Sequence, residues 1–320
     1  MSRRAPGPTV VLLALVLAGC ASLVPGRRAV IYVANMDSHT ISVIDGGSLK
    51  STTTIDAQGE DTHDLFLAPD GRRLFATNMG SGTVTVIDTS TQQVVGNIPT
   101  GKTTHSVAVT PDGRELWVNA GGEDYIPVVS TASLQVVARV PLGEPIAAGH
   151  IWFSPNGRTA WATSPKFNQV LVVDVPGRRV TEKVPVGKAP TFIQVTDDGR
   201  EVWGTNTGES SIYVIETDTR RMTKLEIGRM PQHLTFVADK VYVTLGGQNQ
   251  VAILDRVART VVARISVGKK PHGIWPSSDG KRLYVAHEDG DDVAVIDVAA
   301  SRVIGTVPVG KKPIAVVVTP

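Results

Sequence analysis

The residues in this sequence with the clearest capacity for chemistry are its seven histidines. Imidazole exchanges its proton near neutral pH, and it is also the commonest transition-metal ligand among side chains. Five histidines stand at the start of short apolar runs, and two stand in the polar loops between such runs. The first group is His63, His105, His150, His233 and His272, and the second is His39 and His287. Convergence of the first group would make a copper, zinc or haem-iron site.

The spacing of these histidines argues against all five sharing one site. Counted back from the hairpin turn after each run, His63, His105 and His272 occupy equivalent positions. His150 and His233 fall one residue later, and in a strand one residue reverses the direction of the side chain. His63, His105 and His272 are therefore the candidate binding residues, and the candidate ligands of any metal.

A second pattern places a cation shortly before several of these runs, directly after a glycine in most cases. The candidate binding cations are Lys102, Lys188, Arg229, Lys269 and Lys311. Around one opening they would attract a small anionic ligand or single-stranded nucleic acid. The formal net charge of the whole chain is only +2, so a general nucleic-acid binder is not indicated.

These residues lie in a repeat of 39 to 44 residues. One aromatic residue recurs in the same context in each unit: Tyr32, Phe75, Trp117, Trp161, Trp203, Tyr242 and Tyr284. An Asp-Gly or Asn-Gly turn precedes most of them, and an apolar run that ends in an acid follows. Each unit predicts four short strands, and this repeat length is typical of β-propeller blades.

The two ends of the repeat array complete each other. Residues 29–34 form a second strand without a first, whereas residues 313–319 form a first strand without a second. Joined in one sheet, they would leave no unpaired edge. The sequence therefore predicts an all-β, seven-bladed β-propeller over residues 28–320, with four-stranded blades and a C-terminal strand that joins the N-terminal blade.

The N-terminus resembles a bacterial lipoprotein signal. Arg3 and Arg4 precede an apolar run at residues 10–17, and small residues stand directly before Cys20, the only cysteine. The resemblance implies a signal peptide at residues 1–19, acylation of Cys20 and a lipidated linker at residues 20–27. Two or more acyl chains would anchor the chain stably. We expect a periplasm-facing lipoprotein of the cell envelope, in the outer membrane.

The repeat consensus resembles the YVTN-repeat, or YncE-like, β-propeller family. The resemblance rests on Tyr32-Val33-Ala34-Asn35, Trp203-Gly204-Thr205-Asn206 and the Val-Gly-Lys-Lys-Pro linkers at residues 267–271 and 309–313. It covers residues 28–320. The resemblance implies a fold shared with propellers that hold haem in cytochrome nitrite reductases and copper in nitrous oxide reductase.

The absence of local catalytic motifs shapes the functional prediction. The sequence contains no nucleophile elbow, phosphate-binding loop or dinucleotide fingerprint. We expect a monomeric ligand-binding or scaffolding module without catalysis or cofactor, whose partner is an envelope protein or a small anionic ligand. The first alternative is a protein that carries or assembles a haem or copper centre. The second is binding of an anion or single-stranded nucleic acid at the cations.

Overall fold

The protein is a ring of seven antiparallel sheets, each built from four strands. The computed structural model describes residues 29–320. The predicted signal peptide therefore lies outside the described residues, as do the predicted lipidated linker with Cys20 and residue 28. The predicted seven-bladed β-propeller is confirmed.

Each blade runs from an innermost strand beside the central channel to an outermost strand at the rim. The innermost strands are β4 (Thr62–Leu67), β8 (Thr104–Val109), β12 (Ile151–Phe153), β16 (Pro190–Val195), β20 (Pro231–Val237), β24 (Pro271–Pro276) and β28 (Pro313–Val318). The second strands are β1 (Val30–Asn35), β5 (Arg73–Asn78), β9 (Glu115–Ala120), β13 (Thr159–Ser164), β17 (Glu201–Asn206), β21 (Lys240–Leu245) and β25 (Arg282–His287).

The outer half of each blade is formed by two further strands. The third strands are β2 (Thr40–Asp45), β6 (Thr83–Asp88), β10 (Tyr125–Ser130), β14 (Gln169–Asp174), β18 (Ser211–Glu216), β22 (Gln250–Asp255) and β26 (Asp292–Asp297). The outermost strands are β3 (Lys50–Asp56), β7 (Gln93–Pro99), β11 (Val136–Pro141), β15 (Arg179–Pro185), β19 (Met222–Glu226), β23 (Thr260–Ser266) and β27 (Arg302–Pro308). Among the described residues, one 3₁₀ turn spans Pro165–Phe167. In residues 29–320 no helix has the length and apolar character needed to cross a membrane.

The core lies between the blades, where the second and third strands are buried on both faces. The repeated aromatic residues lie in this layer, and Trp117, Trp161 and Trp203 are among the largest completely buried side chains. Outermost strands such as Gln93–Pro99 alternate between exposed and partly buried residues. The residues alternate because the outermost strands lie at the rim, where part of their surface contacts water.

The two ends of the described chain meet in one blade. Val318 of β28 lies opposite Ile31 of β1, and Val316 lies opposite Val33. The C-terminal strand is therefore the innermost strand of the N-terminal blade, as predicted. This pairing removes the free edge that an open ring would expose.

The channel has two different ends, which we call the turn face and the linker face. The turn face carries the hairpins between innermost and second strands. Gly71, Gly113 and Gly157 at these hairpins have φ values of +67°, +75° and +67°, the left-handed conformation that Asp-Gly and Asn-Gly turns supply. The linker face carries the segments that join one blade to the next and lead into the innermost strands.

Candidate functional site

The five histidines of the first group lie where the innermost strands begin, and most of these strands begin with a bulge. In one blade Pro231 pairs with Leu245 and Leu234 with Val243, so three steps along β20 match two along β21. Strands β4, β8, β16 and β24 carry a similar irregularity. A bulge re-aims side chains beside it, so two successive residues of one strand can both face the channel.

A repeated threonine holds the bulged segment in place. Thr244 Oγ1 accepts a hydrogen bond from the His233 N–H at 3.0 Å and donates one to the His272 carbonyl of the next blade at 2.6 Å. This hydroxyl satisfies two buried backbone groups at the place where the strand ladder is irregular. The equivalent threonines, each two residues after the repeated aromatic, are Thr77, Thr163 and Thr205.

Five imidazole rings meet around the channel at these bulges. Ring centroids lie 4.1 Å apart for His63 and His105, 5.1 Å for His105 and His150, 5.0 Å for His150 and His233, and 4.8 Å for His233 and His272. The circuit closes between His272 and His63 at 6.0 Å. Each residue exposes only 4 to 8% of its surface. The rings therefore almost close the channel, and we call them the histidine ring.

The predicted separation of His150 and His233 from the other three histidines of the first group is wrong. The prediction assumed a regular strand, in which His150 and His233 would point away from His63, His105 and His272. Because the pairing is irregular where the innermost strands begin, consecutive positions do not alternate cleanly there. The structure brings all five residues into one cluster.

Three imidazoles are held in one tautomer by carbonyl groups. In His105, His150 and His272 the Nδ1 atom lies 3.0 to 3.1 Å from a carbonyl oxygen of a neighbouring innermost segment. A carbonyl oxygen can only accept, so Nδ1 carries the proton and Nε2 of the neutral ring keeps its lone pair. Nδ1 of His63 and Nε2 of His150 and His233 are buried without a hydrogen-bond partner in residues 29–320. Such atoms are costly unless water or a ligand reaches them.

The histidine ring is neutral at pH 7. Burial lowers the pKa of His105 to about 4 and that of His272 to about 3. Burial, reinforced by the neighbouring imidazoles, also holds the pKa values of His63, His150 and His233 well below the ordinary value. The ring therefore offers lone pairs and N–H groups, not positive charge.

Asp64 is the functional candidate that sequence reasoning missed. It follows His63 directly and is 8% exposed, and its Oδ1 lies 4.0 Å from His150 Nε2. Burial raises the pKa of the Asp64 carboxyl to about 7, although the Val107 N–H, 3.3 Å from Oδ2, favours the ionised form. The available signal was the strand position: like His150 and His233, Asp64 directly precedes a buried aliphatic residue of the innermost strand.

A small cavity of about 20 Å³ lies inside the channel. This volume is enough for one water molecule. Its polar lining is Asp64, His150 and His233, and its aromatic lining is Phe66, Trp152, Phe192 and Trp275. Asp64 and two of the buried, unpaired nitrogen atoms therefore border the same space.

A much larger cavity of about 830 Å³ opens on the turn face, and we call it the funnel. The ends of β4, β20, β24 and β28 line it, with Phe66, Phe236 and Trp275 as its aromatic residues. The ring centroid of Trp152 lies 5.7 Å from that of Phe66 and 6.2 Å from that of Trp275. Phe66 and Trp275 line both cavities, so these aromatic residues separate the funnel from Asp64.

The two remaining histidines fasten linkers. His287 is fully buried, its Nδ1 lies 2.5 Å from Asp292 Oδ1, and its Nε2 accepts the Gly268 N–H at 3.0 Å. His39 Nδ1 accepts the Asp61 N–H at 2.9 Å. Both residues are engaged in bonds that connect neighbouring blades, outside the histidine ring.

The candidate cations lie on the linker face and remain exposed, unlike the buried histidines. They are Lys102, Lys188, Arg229, Lys269 and Lys311. Lys311 forms an ion pair with Asp291 at 2.6 Å, and the adjacent linker residue Lys270 pairs with Glu288 at 2.6 Å. Acids on the same face thus balance part of the positive charge, and the structure does not bring these cations into the channel.

A metal or haem centre does not fit this donor set. Within residues 29–320 no group of three His, Cys, Asp or Glu side chains is arranged to hold a metal ion. The imidazole rings contact one another around the channel, which leaves no room for a macrocycle between them. The close packing of the histidine ring therefore disfavours the haem or copper alternative.

Comparison with protein families agrees with the repeat pattern. A model of the YNCE-like beta-propeller family matches residues 8–319. No curated protein sequence shows significant similarity to the chain.

Several solved structures share the fold at low sequence identity. The Kuenenia stuttgartiensis hydrazine synthase is 21% identical, with a TM-score of 0.76, over 84% of this chain and 92% of that one. The periplasmic gluconolactonase PpgL of Pseudomonas aeruginosa is 19% identical, with a TM-score of 0.76, over 92% of this chain and 99% of that one. The dihydro-heme d1 dehydrogenase NirN in complex with DHE is 16% identical, with a TM-score of 0.68, over 87% and 63%. At these identities the likeness shows the fold alone.

These structures correct the prediction that the chain has no catalysis of its own. The same fold occurs in a periplasmic gluconolactonase and in a dihydro-heme d1 dehydrogenase. The prediction rested on the absence of local catalytic motifs. That absence is uninformative for a propeller, because its channel gathers side chains from separate blades.

Proposed function

The chain belongs to the YNCE-like β-propeller family, and we propose that its channel binds an uncharged molecule of about the size of water and exchanges a proton with it through Asp64. The observation that carries this proposal is the position of Asp64 beside the histidine ring, in a buried cavity shared with His150 and His233. Perturbed titratable groups that converge in a cleft are typical of functional sites.

The chemistry proposed is general acid–base catalysis. A carboxyl whose pKa is about 7 is present in both protonation states at neutral pH, which suits a group that both gives and takes a proton. His150 Nε2 is an acceptor for a hydroxyl or N–H of the bound molecule, and the unpaired His233 Nε2 belongs to a residue that lines the same cavity. The neutral ring favours an uncharged substrate, because no cation in the ring compensates an anion.

The proposed location is the cell envelope, with Cys20 as the site of lipid attachment. Its support is the arrangement of Arg3, Arg4, the apolar run and Cys20 in the sequence. A fold shared with a periplasmic enzyme is compatible with this location.

The experiment is infrared spectroscopy of the carboxyl groups, which requires no reagent to enter the cavity of about 20 Å³. At pH 7 we expect the C=O stretching band of a protonated carboxyl in the folded protein, and no such band in Asp64→Asn. Asp112→Asn is the matched control, since a hydrogen bond from the Thr110 hydroxyl helps to lower the pKa of Asp112.

A band that fades as the pH rises from 6 to 9 supports the proposal, because only the protonated carboxyl gives this band. The absence of the band throughout this range, while the protein remains folded, would overturn it.

A further inference from the structure

The funnel is an apolar cavity on the turn face that the proposed acid–base chemistry does not use. Its lining is dominated by aromatic and aliphatic side chains at the ends of four innermost strands, including Phe236, Trp275 and Val317. Trp275 is only partly buried. A contiguous apolar surface of this kind on a soluble domain marks an interaction site.

The N-terminal segment joins the propeller beside this cavity. The Val30 N–H donates to Thr319 Oγ1 at 2.9 Å, and the Thr319 N–H donates to the Val30 carbonyl at 2.9 Å. Pro320, the next residue, lines the funnel. The first strand therefore starts at the turn face, and residues 1–28 connect to the propeller there.

The length of the connecting segment limits where an anchor could be. Eight residues lie between Cys20 and Ala29, so the Cα atoms of these two residues are at most roughly 30 Å apart when the segment is extended. An acyl group on Cys20, or an apolar segment at residues 10–17, would hold the turn face close to a bilayer.

We propose that the funnel docks on the bilayer and receives an acyl chain of a membrane phospholipid. Trp275 and Phe236 suit this position, because aromatic side chains favour the boundary between water and hydrocarbon. The aromatic residues Phe66, Trp152 and Trp275 close the inner end of the funnel. The acyl chain would therefore stop at these rings without reaching Asp64.

The tryptophans make this proposal measurable. Trp117, Trp161 and Trp203 are buried between blades, with at most 1% of their surface exposed. Trp152 and Trp275 are the partly exposed tryptophans of the described residues. Trp275 lines the funnel, and Trp152 lies next to it, with 6.2 Å between the two ring centroids. Bromine atoms quench tryptophan emission on contact, so brominated acyl chains in the funnel would affect these two residues first.

The experiment uses the full chain carrying Cys20→Ser, which cannot be acylated, mixed with phosphatidylcholine vesicles whose acyl chains are brominated. We expect quenching of the emission, and loss of most of that quenching in Trp275→Phe. Val237→Lys, which places a charge in the funnel lining, should weaken vesicle binding by about tenfold or more.

Met230→Lys is the matched control. Met230 is 41% exposed on the linker face, at the end of the channel opposite the funnel, and Lys270 and Lys312 occupy the equivalent positions before β24 and β28, so its replacement should leave vesicle binding unchanged. Asp64→Asn should also bind vesicles normally, which separates this inference from the proposed channel chemistry.

Three results would overturn the inference. The first is vesicle binding without quenching. The second is binding that Val237→Lys leaves unaffected, because the apolar segment at residues 10–17 would then account for all of it. The third is quenching by a free brominated fatty acid but not by brominated vesicles, which would assign the funnel to a soluble ligand.

Discussion

Replacing Asp64 by Asn should change how the stability of the protein depends on pH. The carboxyl titrates at about 7 in the folded protein and has a reference value of 3.8. Between these values the folded state holds a proton that the unfolded state has released, so the free energy of unfolding falls as pH rises. Each pH unit in this window corresponds to about 1.4 kcal/mol.

The difference between the wild type and Asp64→Asn isolates this contribution. Asn keeps the shape of the side chain and can accept the Val107 N–H, but it has no proton to lose in this range. From pH 5 to pH 8 the variant should gain about 2.5 kcal/mol of stability relative to the wild type, with most of the change below pH 7.

Urea denaturation of both proteins at intervals of pH, followed by circular dichroism, measures this difference. The histidines titrate in both proteins, so their contribution largely cancels in the comparison. A difference that stays constant from pH 5 to pH 8 would refute the reasoning, because Asp64 would then titrate at its ordinary value.

Three further predictions concern the residues around the site. Because the buried histidines have lowered pKa values, the stability that they contribute is complete above pH 6.5 and is lost as the pH falls toward 4. Potentiometry during acid unfolding measures this, and we expect the protein to take up more than one proton as it unfolds. Thr244→Val should lower the free energy of unfolding, measured by urea denaturation, by about 2 to 4 kcal/mol, because it leaves the His233 N–H and the His272 carbonyl unpaired. His287→Asn should be far less destabilising than His287→Ala in thermal denaturation, since Asn206 fastens the equivalent linker through its side-chain oxygen; equal losses would contradict this role.

The propeller could be predicted because the sequence features that specify it are local and repeated. The aromatic residues, the Asp-Gly hairpins and the incomplete repeats at the two ends specify blade number and closure without knowledge of any distant contact. Trp117 and Trp203 are buried as a repeated core position requires.

The site could be predicted only in part, because its geometry depends on contacts between strands. The irregular pairing beside His233 is a property of two paired strands, and the apolar runs do not reveal it. The raised pKa of Asp64 depends on burial by neighbouring blades, which its own sequence context does not show. The funnel depends on where four innermost strands end, whereas the histidines mark where the innermost strands begin, toward the opposite face.

The most direct test of the central claim is the titration of Asp64 itself. With aspartate labelled by ¹³C at the side-chain carboxyl, the Asp64 signal can be assigned by its absence from the spectrum of Asp64→Asn. A titration midpoint near pH 7 is the predicted result. A midpoint near the ordinary aspartate value of 3.8 would contradict the account, because the channel would then contain a permanently ionised carboxylate and no group that exchanges a proton at neutral pH.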